Sequence, residues 1–157
     1  MEKNILYHLR CSILYNSVKP QAPSKPSKPS KLASNKINVD GSWGQATTKA
    51  LQKILGTKQD GIVSNQPKSN EKYLERCASI SWKFEGNRND YKPRSDMVKV
   101  LQRKIGVTAD GWFGKNSAIA LQKYLVKNGY SVGCNGCNGY VGNDTVCALQ
   151  RWINSQI

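Results

Sequence analysis

Asp110-Gly111-Trp112-Phe113-Gly114 leads, six residues after its second glycine, into Ala120-Leu121-Gln122-Lys123. The same phrase recurs. Asp40-Gly41-Ser42-Trp43-Gly44 runs into Ala50-Leu51-Gln52-Lys53, and Asn138-Gly139-Tyr140-Val141-Gly142 runs into Ala148-Leu149-Gln150-Arg151. An eroded fourth copy emerges when Leu51-Gln52 through Asp60-Gly61-Ile62-Val63 is laid, without gaps, on Leu101-Gln102 through Asp110-Gly111-Trp112-Phe113. A period of this kind marks an array of small repeats, and it sets the fold class before any single residue does.

Each unit begins with turn chemistry. Asp can bond its own backbone two residues on, and Gly supplies the conformation a tight corner needs. Polar residues follow, with Thr47, Ser117 and Asn143 or Thr145 as expected caps or first-turn residues. Apolar positions then take helical spacing: Ala50, Leu51, Ile54 and Leu55; Ala118, Leu121 and Leu125; Val146, Leu149 and Ile153. Val98, Leu101 and Ile105 repeat the spacing and stop at Gly106, a helix breaker. Helices of about ten to fourteen residues are marginal alone, so each must bury its stripe against neighbours. The turn aromatics Trp43, Phe113 and Tyr140 are expected to plug between them. The expected class is mainly α: short-helix repeats in one or two small subdomains after a Pro/Ser/Lys linker.

The chain has 157 residues. Residues 1–18 mix Ile5, Leu6, Tyr7, Leu9, Ile13, Leu14 and Tyr15 with His8 and Arg10. That stretch is too short and broken for a membrane span and lacks a clear signal cleavage site. It reads as a remnant or an oligomerising element, so a homo-oligomer is one expectation. Residues 19–36 carry Pro20, Pro23, Pro26 and Pro29 at a period of three among Ser and Lys, the composition of an extended tether. Residues 65–96 lack the repeat, which suggests a degenerate repeat subdomain at 37–94 and a second repeat subdomain at 95–157.

Net charge is +14. Residues 1–36 hold seven Lys or Arg against one Glu, and residues 37–157 hold seventeen against nine acids. Such a balance favours polyanionic partners, nucleic acid or wall teichoic acid, although solvated helix faces account for many single lysines.

The Asp-Gly-x-aromatic-Gly turn followed by Ala-Leu-Gln-Lys resembles the three-helix peptidoglycan-binding domain of bacterial and phage wall hydrolases. Gly129-Tyr130, leading to Asn138-Gly139-Tyr140-Val141-Gly142, is similar to that family's helix-to-helix connection. The resemblance covers about residues 38–66 and 96–155. It implies a module that holds a lytic enzyme on murein while a separate catalytic domain, absent from this chain, does the cutting. Asn138 in place of Asp, the extra loop at Cys134–Cys137 and Ser64 in place of a glycine depart from the pattern.

The candidate binding residues are Trp112, Tyr130, Tyr140 and Trp43, which could stack on sugar faces, together with Asp110 and the helix glutamines Gln122 and Gln150. Trp112 is favoured because Phe113 already holds the plug position. The glutamines, Gln52 included, could bond peptide stems, against a plainer reading as solvent-facing or turn-bonded amides. A zinc site is disfavoured: Cys134-x-x-Cys137 and Cys147 lack a fourth ligand, since His8, Cys11 and Cys77 are remote in sequence. No cofactor is expected.

Catalysis would need two carboxylates flanking a sugar cleft. Glu71, Glu75, Glu85 and Asp90 form the one acidic cluster, with Glu71 and Glu85 the least weak pair; ion pairing to Lys72, Arg76, Lys83 and Arg88 is the preferred account. With a single histidine, no Ser/His/Asp or multi-histidine site can be built. The expectation is a non-catalytic wall-binding module of a phage endolysin or autolysin. It would be made in the host cytoplasm and act at the Gram-positive wall, with peptidoglycan, teichoic acid and a catalytic lysin domain as partners. A basic nucleic-acid-binding protein is the alternative, and a small wall hydrolase a weaker one.

Overall fold

Among the described residues, four short α-helices form where the apolar spacing places them: α1 Gln45–Leu55, α2 Asp96–Ile105, α3 Lys115–Lys127 and α4 Asn143–Gln156. They belong to a computed structural model that describes residues 35–85 and 93–157. The N-terminal segment 1–18 and the linker up to residue 34 lie outside the described residues, as do Arg88, Asp90 and Tyr91. A 3₁₀ helix spans Lys68–Tyr73, and the extended pairings among the described residues are two isolated bridges, Trp43 with Cys77 and Val63 with Trp82. The protein is mainly helical.

Leu51, Leu101, Leu121 and Leu149, the leucines of the repeated phrase and its half-unit, are all buried. Each helix packs on two others in a closed cycle, α1 on α2, α2 on α3, α3 on α4 and α4 back on α1. Residues 35–157 form one compact unit, and its core cluster draws on both sides of the boundary expected at 94/95. The two repeat segments share a core because α4 returns to the Asp40-Gly41 corner and packs on α1.

The stretch expected to separate two subdomains instead runs through the middle of this cycle. Trp43 N donates to Arg76 O (2.8 Å) and Val63 N to Ser81 O (2.8 Å). Val141 N donates to Tyr73 O (2.7 Å), and Phe113 N to the side-chain Oε1 of Gln66 (2.8 Å). The residue after each Asp-Gly-x or Asn-Gly-x corner thus finds its acceptor in residues 66–81. A buried N–H left unpaired costs about 1–3 kcal/mol, so the insert is a structural requirement of the corners.

These four residues, Trp43, Val63, Phe113 and Val141, are all fully buried. Tyr140, expected to plug between helices, is 41% exposed, because the plug register falls one residue later, at Val141. Trp43, Trp82 and Phe113 meet edge to face, with centroids 5.0 Å apart for the two indoles and 5.8 Å for each indole with Phe113. Such large side chains each bury about 150–250 Å², on the order of 4–6 kcal/mol of transfer free energy. Neither indole N–H of Trp43 or Trp82 has a hydrogen-bond partner.

Candidate functional site

The helix glutamines explain how the corners are held. Gln102 of α2 is buried and accepts from Gly111 N through Oε1 (2.8 Å). Its Nε2 shares two N–H groups among Asp110 Oδ1 (2.8 Å), Trp112 O (2.9 Å) and Ser117 Oγ (3.0 Å). Asp110 Oδ1 also takes Trp112 N (2.9 Å). Gln122 clamps Asn138-Gly139-Tyr140 and Thr145 in the same way, and Gln150 clamps Asp40-Gly41-Ser42 and Thr47. Gln52 clamps Asp60-Gly61-Ile62, without a hydroxyl from the next helix.

Two site expectations are therefore corrected. Gln122 and Gln150 are buried, and their amides bond the chain itself, so neither is presented to a ligand. Trp43 is fully buried in the aromatic core for the reason given above. Thr47, Ser117 and Thr145 are first-turn residues whose hydroxyls meet the glutamine amides; the N-caps are Gly44, Gly114 and Gly142.

Two carboxylates are tuned by the clamps. Hydrogen bonds from Gln150 and from Ser42 N hold Asp40 below the ordinary carboxylate range. For Asp60 burial pulls upward, but bonds from Gln52, Ile62 N and Lys58 outweigh it and the net direction is down.

Outside three of the clamps lie open grooves. The groove over Gln102, about 690 Å³, is lined by Trp112, Asp110, Asn70, Tyr73, Lys115 and Asn116 among others. The groove over Gln122, about 380 Å³, is lined by Tyr140, Glu75, Asn135, Asn138, Asn143 and Asp144. The groove over Gln52, about 260 Å³, includes Asp60, Ile62, Arg94 and Asp96. Tyr73 of the first groove lies 5.6 Å, ring to ring, from Tyr140 of the second, so aromatic rings link the two. The Arg94 guanidinium sits 3.9 Å over the Trp112 ring.

Trp112, Asp110 and Tyr140, expected as binding residues, thus line adjoining grooves. Tyr130 packs half-buried against the core and lines none of the three. Sequence reasoning missed Tyr73 and Asn70, which come from the non-repeating insert, and weighed Glu75 only within an acidic cluster considered for catalysis.

Glu71 is exposed and paired with Lys68, Glu85 is exposed, and neither lines these grooves. Cys77, Cys137 and Cys147 carry free thiols, and burial pushes the Cys77 thiol well up. Among the described residues, no group of three or more His, Cys, Asp or Glu is placed to hold a metal, and no helix is long and apolar enough to cross a membrane. In comparisons with known proteins, no family model, no curated protein and no solved structure matches the chain.

Proposed function

We infer that residues 35–157 are a non-catalytic module that binds peptidoglycan and keeps an attached or associated lytic enzyme at the bacterial wall. The observation that carries this reading is the pair of adjoining grooves in which Tyr73, Tyr140 and Trp112, the last with Arg94 stacked over its ring, stand beside Asn, Asp and Lys side chains. Rings take the apolar faces of sugars, while amides and carboxylates bond hydroxyls and peptide groups, the usual division of labour in a ligand groove. The repeated Asp-Gly corners and their likeness to peptidoglycan-binding domains support the same ligand. Several weak grooves on one unit give avidity on a polymer, by about a hundredfold or more when they engage together.

Retention on purified Gram-positive sacculi tests this. The protein is expected in the pellet at moderate salt, and the variants Trp112→Ala and Tyr140→Ala in the supernatant. Wild-type protein left wholly in the supernatant would overturn the reading. A net charge of +14 favours a second reading, nucleic-acid binding, which predicts a gel shift with steep salt dependence and no retention on sacculi.

A further inference from the structure

A different groove, about 810 Å³, runs between the C-terminal end of α2 and the outer face of α3. Its lining follows one stripe of α3 from Asn116 to Asn128, about 18 Å at 1.5 Å per residue. Ile105, Ile119 and half-buried Tyr124 belong to the lining, as do the exposed Lys104, Lys123 and Lys127. No carboxylate is among the lining residues, and none of these three lysines forms an ion pair among the described residues. The helix dipole accounts for a lysine at each helix end, Lys104 and Lys127, but not for Lys123 within α3. Lys123 and Lys127 stand one turn apart, about 6 Å along the helix, with Lys104 contributed by α2.

We propose that this groove is a second binding surface, for a linear polyol-phosphate chain of the kind that carries negative charge in Gram-positive walls. This rests on the wall-binding reading and names a second wall polymer for it. Three ammonium groups outside any ion pair among the described residues, one of them (Lys104) 5.6 Å over the Trp152 ring, match successive phosphodiesters. The aliphatic floor takes the carbon stem, and Asn116 and Asn128 at the two ends suit hydroxyls. The lining holds a single aromatic, half-buried Tyr124, whose ring also meets Trp152 at 5.7 Å between centroids, so no series of rings is offered on which successive nucleic-acid bases would stack. The polyol chain is therefore favoured over a nucleic acid.

The test is a titration of the full chain with poly(glycerol phosphate) freed of lipid and murein, at about 0.15 M salt. The triple variant Lys104→Gln, Lys123→Gln, Lys127→Gln is compared with Lys36→Gln, Lys49→Gln, Lys53→Gln, which removes equal charge elsewhere. The groove triple is expected to weaken binding about tenfold or more, and the control triple less than about threefold. Equal losses, or no loss in the groove triple, would overturn the proposal. So would a single-stranded oligonucleotide of equal phosphate number that binds as tightly and loses as much. Murein stripped of its anionic polymer separates the two readings. The groove triple should bind it as wild type does, and a loss there counts against the proposal. If wild type ignores stripped murein yet binds the polymer through these lysines, the murein reading fails and this one stands.

Discussion

Gln150 Nε2 and Asp40 Oδ1 lie 2.7 Å apart although 110 residues separate them in sequence. The last helix thereby does for the first corner what α1, α2 and α3 do for the corners that follow them. Asp40 N and Gly41 N complete the contact by donating to Gln150 Oε1, both at 3.0 Å. The cycle of four helices is closed by this seam.

Gln150→Ala and Gln102→Ala should each destabilise the fold by about 2–4 kcal/mol, because each leaves a buried glycine N–H without its acceptor. Denaturant unfolding measures this. If exchange of the helix glutamines costs no more than exchange of exposed Gln156, the clamps are not structural.

Gly111 has φ of +79° and a Cβ there would lie 2.7 Å from Arg94 Cβ, whereas Gly56 has φ of +66° and nothing within 4 Å. Gly56→Ala should cost about 1–2 kcal/mol, the left-handed penalty alone. Gly111→Ala should cost measurably more, since a Cβ cannot swing aside. Equal losses in paired melting curves would contradict the packing at that corner.

The core and groove aromatics should separate cleanly. Trp43→Ala is expected to lose about 3–5 kcal/mol, while Trp43→Phe should lose less because its N–H has no partner. Tyr140→Ala should leave the melting midpoint within a few degrees and weaken sacculus retention by roughly tenfold. Retention unchanged in Tyr140→Ala and Trp112→Ala together would remove the aromatic grooves from the binding account.

Asp40 and Asp60 are both held low in the folded protein. The unfolded chain then takes up protons first on acidification, so this stability is present above the unfolded pKa and is lost as pH falls through it toward the folded one. Melting midpoints should therefore fall as pH drops through the ordinary carboxylate range and below it. Asp40→Asn should flatten that fall, since Asn138 makes the same amide-acceptor contact at its own corner (2.9 Å to Tyr140 N). A steeper fall in the variant would contradict the sign.

The helices were legible because Leu51, Leu101, Leu121 and Leu149 recur at helical spacing and Gly106 stops α2; Gly56 stops α1 in the same way, a signal not drawn on. The corners were legible from their Asp-Gly and Asn-Gly pairs. The role of the glutamines was open, since an amide reads alike whether it faces water or a backbone turn. Tyr140 was misplaced because an aromatic ring draws the eye to the plug position that Val141 fills. Residues 66–81 were misread as a divider because they carry no periodicity; their order comes from pairing with distant corners, which a local pattern does not encode. Of the site, Trp112 and Tyr140 stood out, while Tyr73 did not.

The seam also decides how the unit bears tension. Ile37 N and Ile37 O are each bonded to the Asn154 side chain at 2.8 Å, just outside the Gln150 contact. A pull on Asn35 is expected to load those two bonds and then the glutamine, peeling residues 37–42 from α4. Resistance to such a pull rests on a handful of side-chain amides at one edge, held by the helix farthest away along the chain.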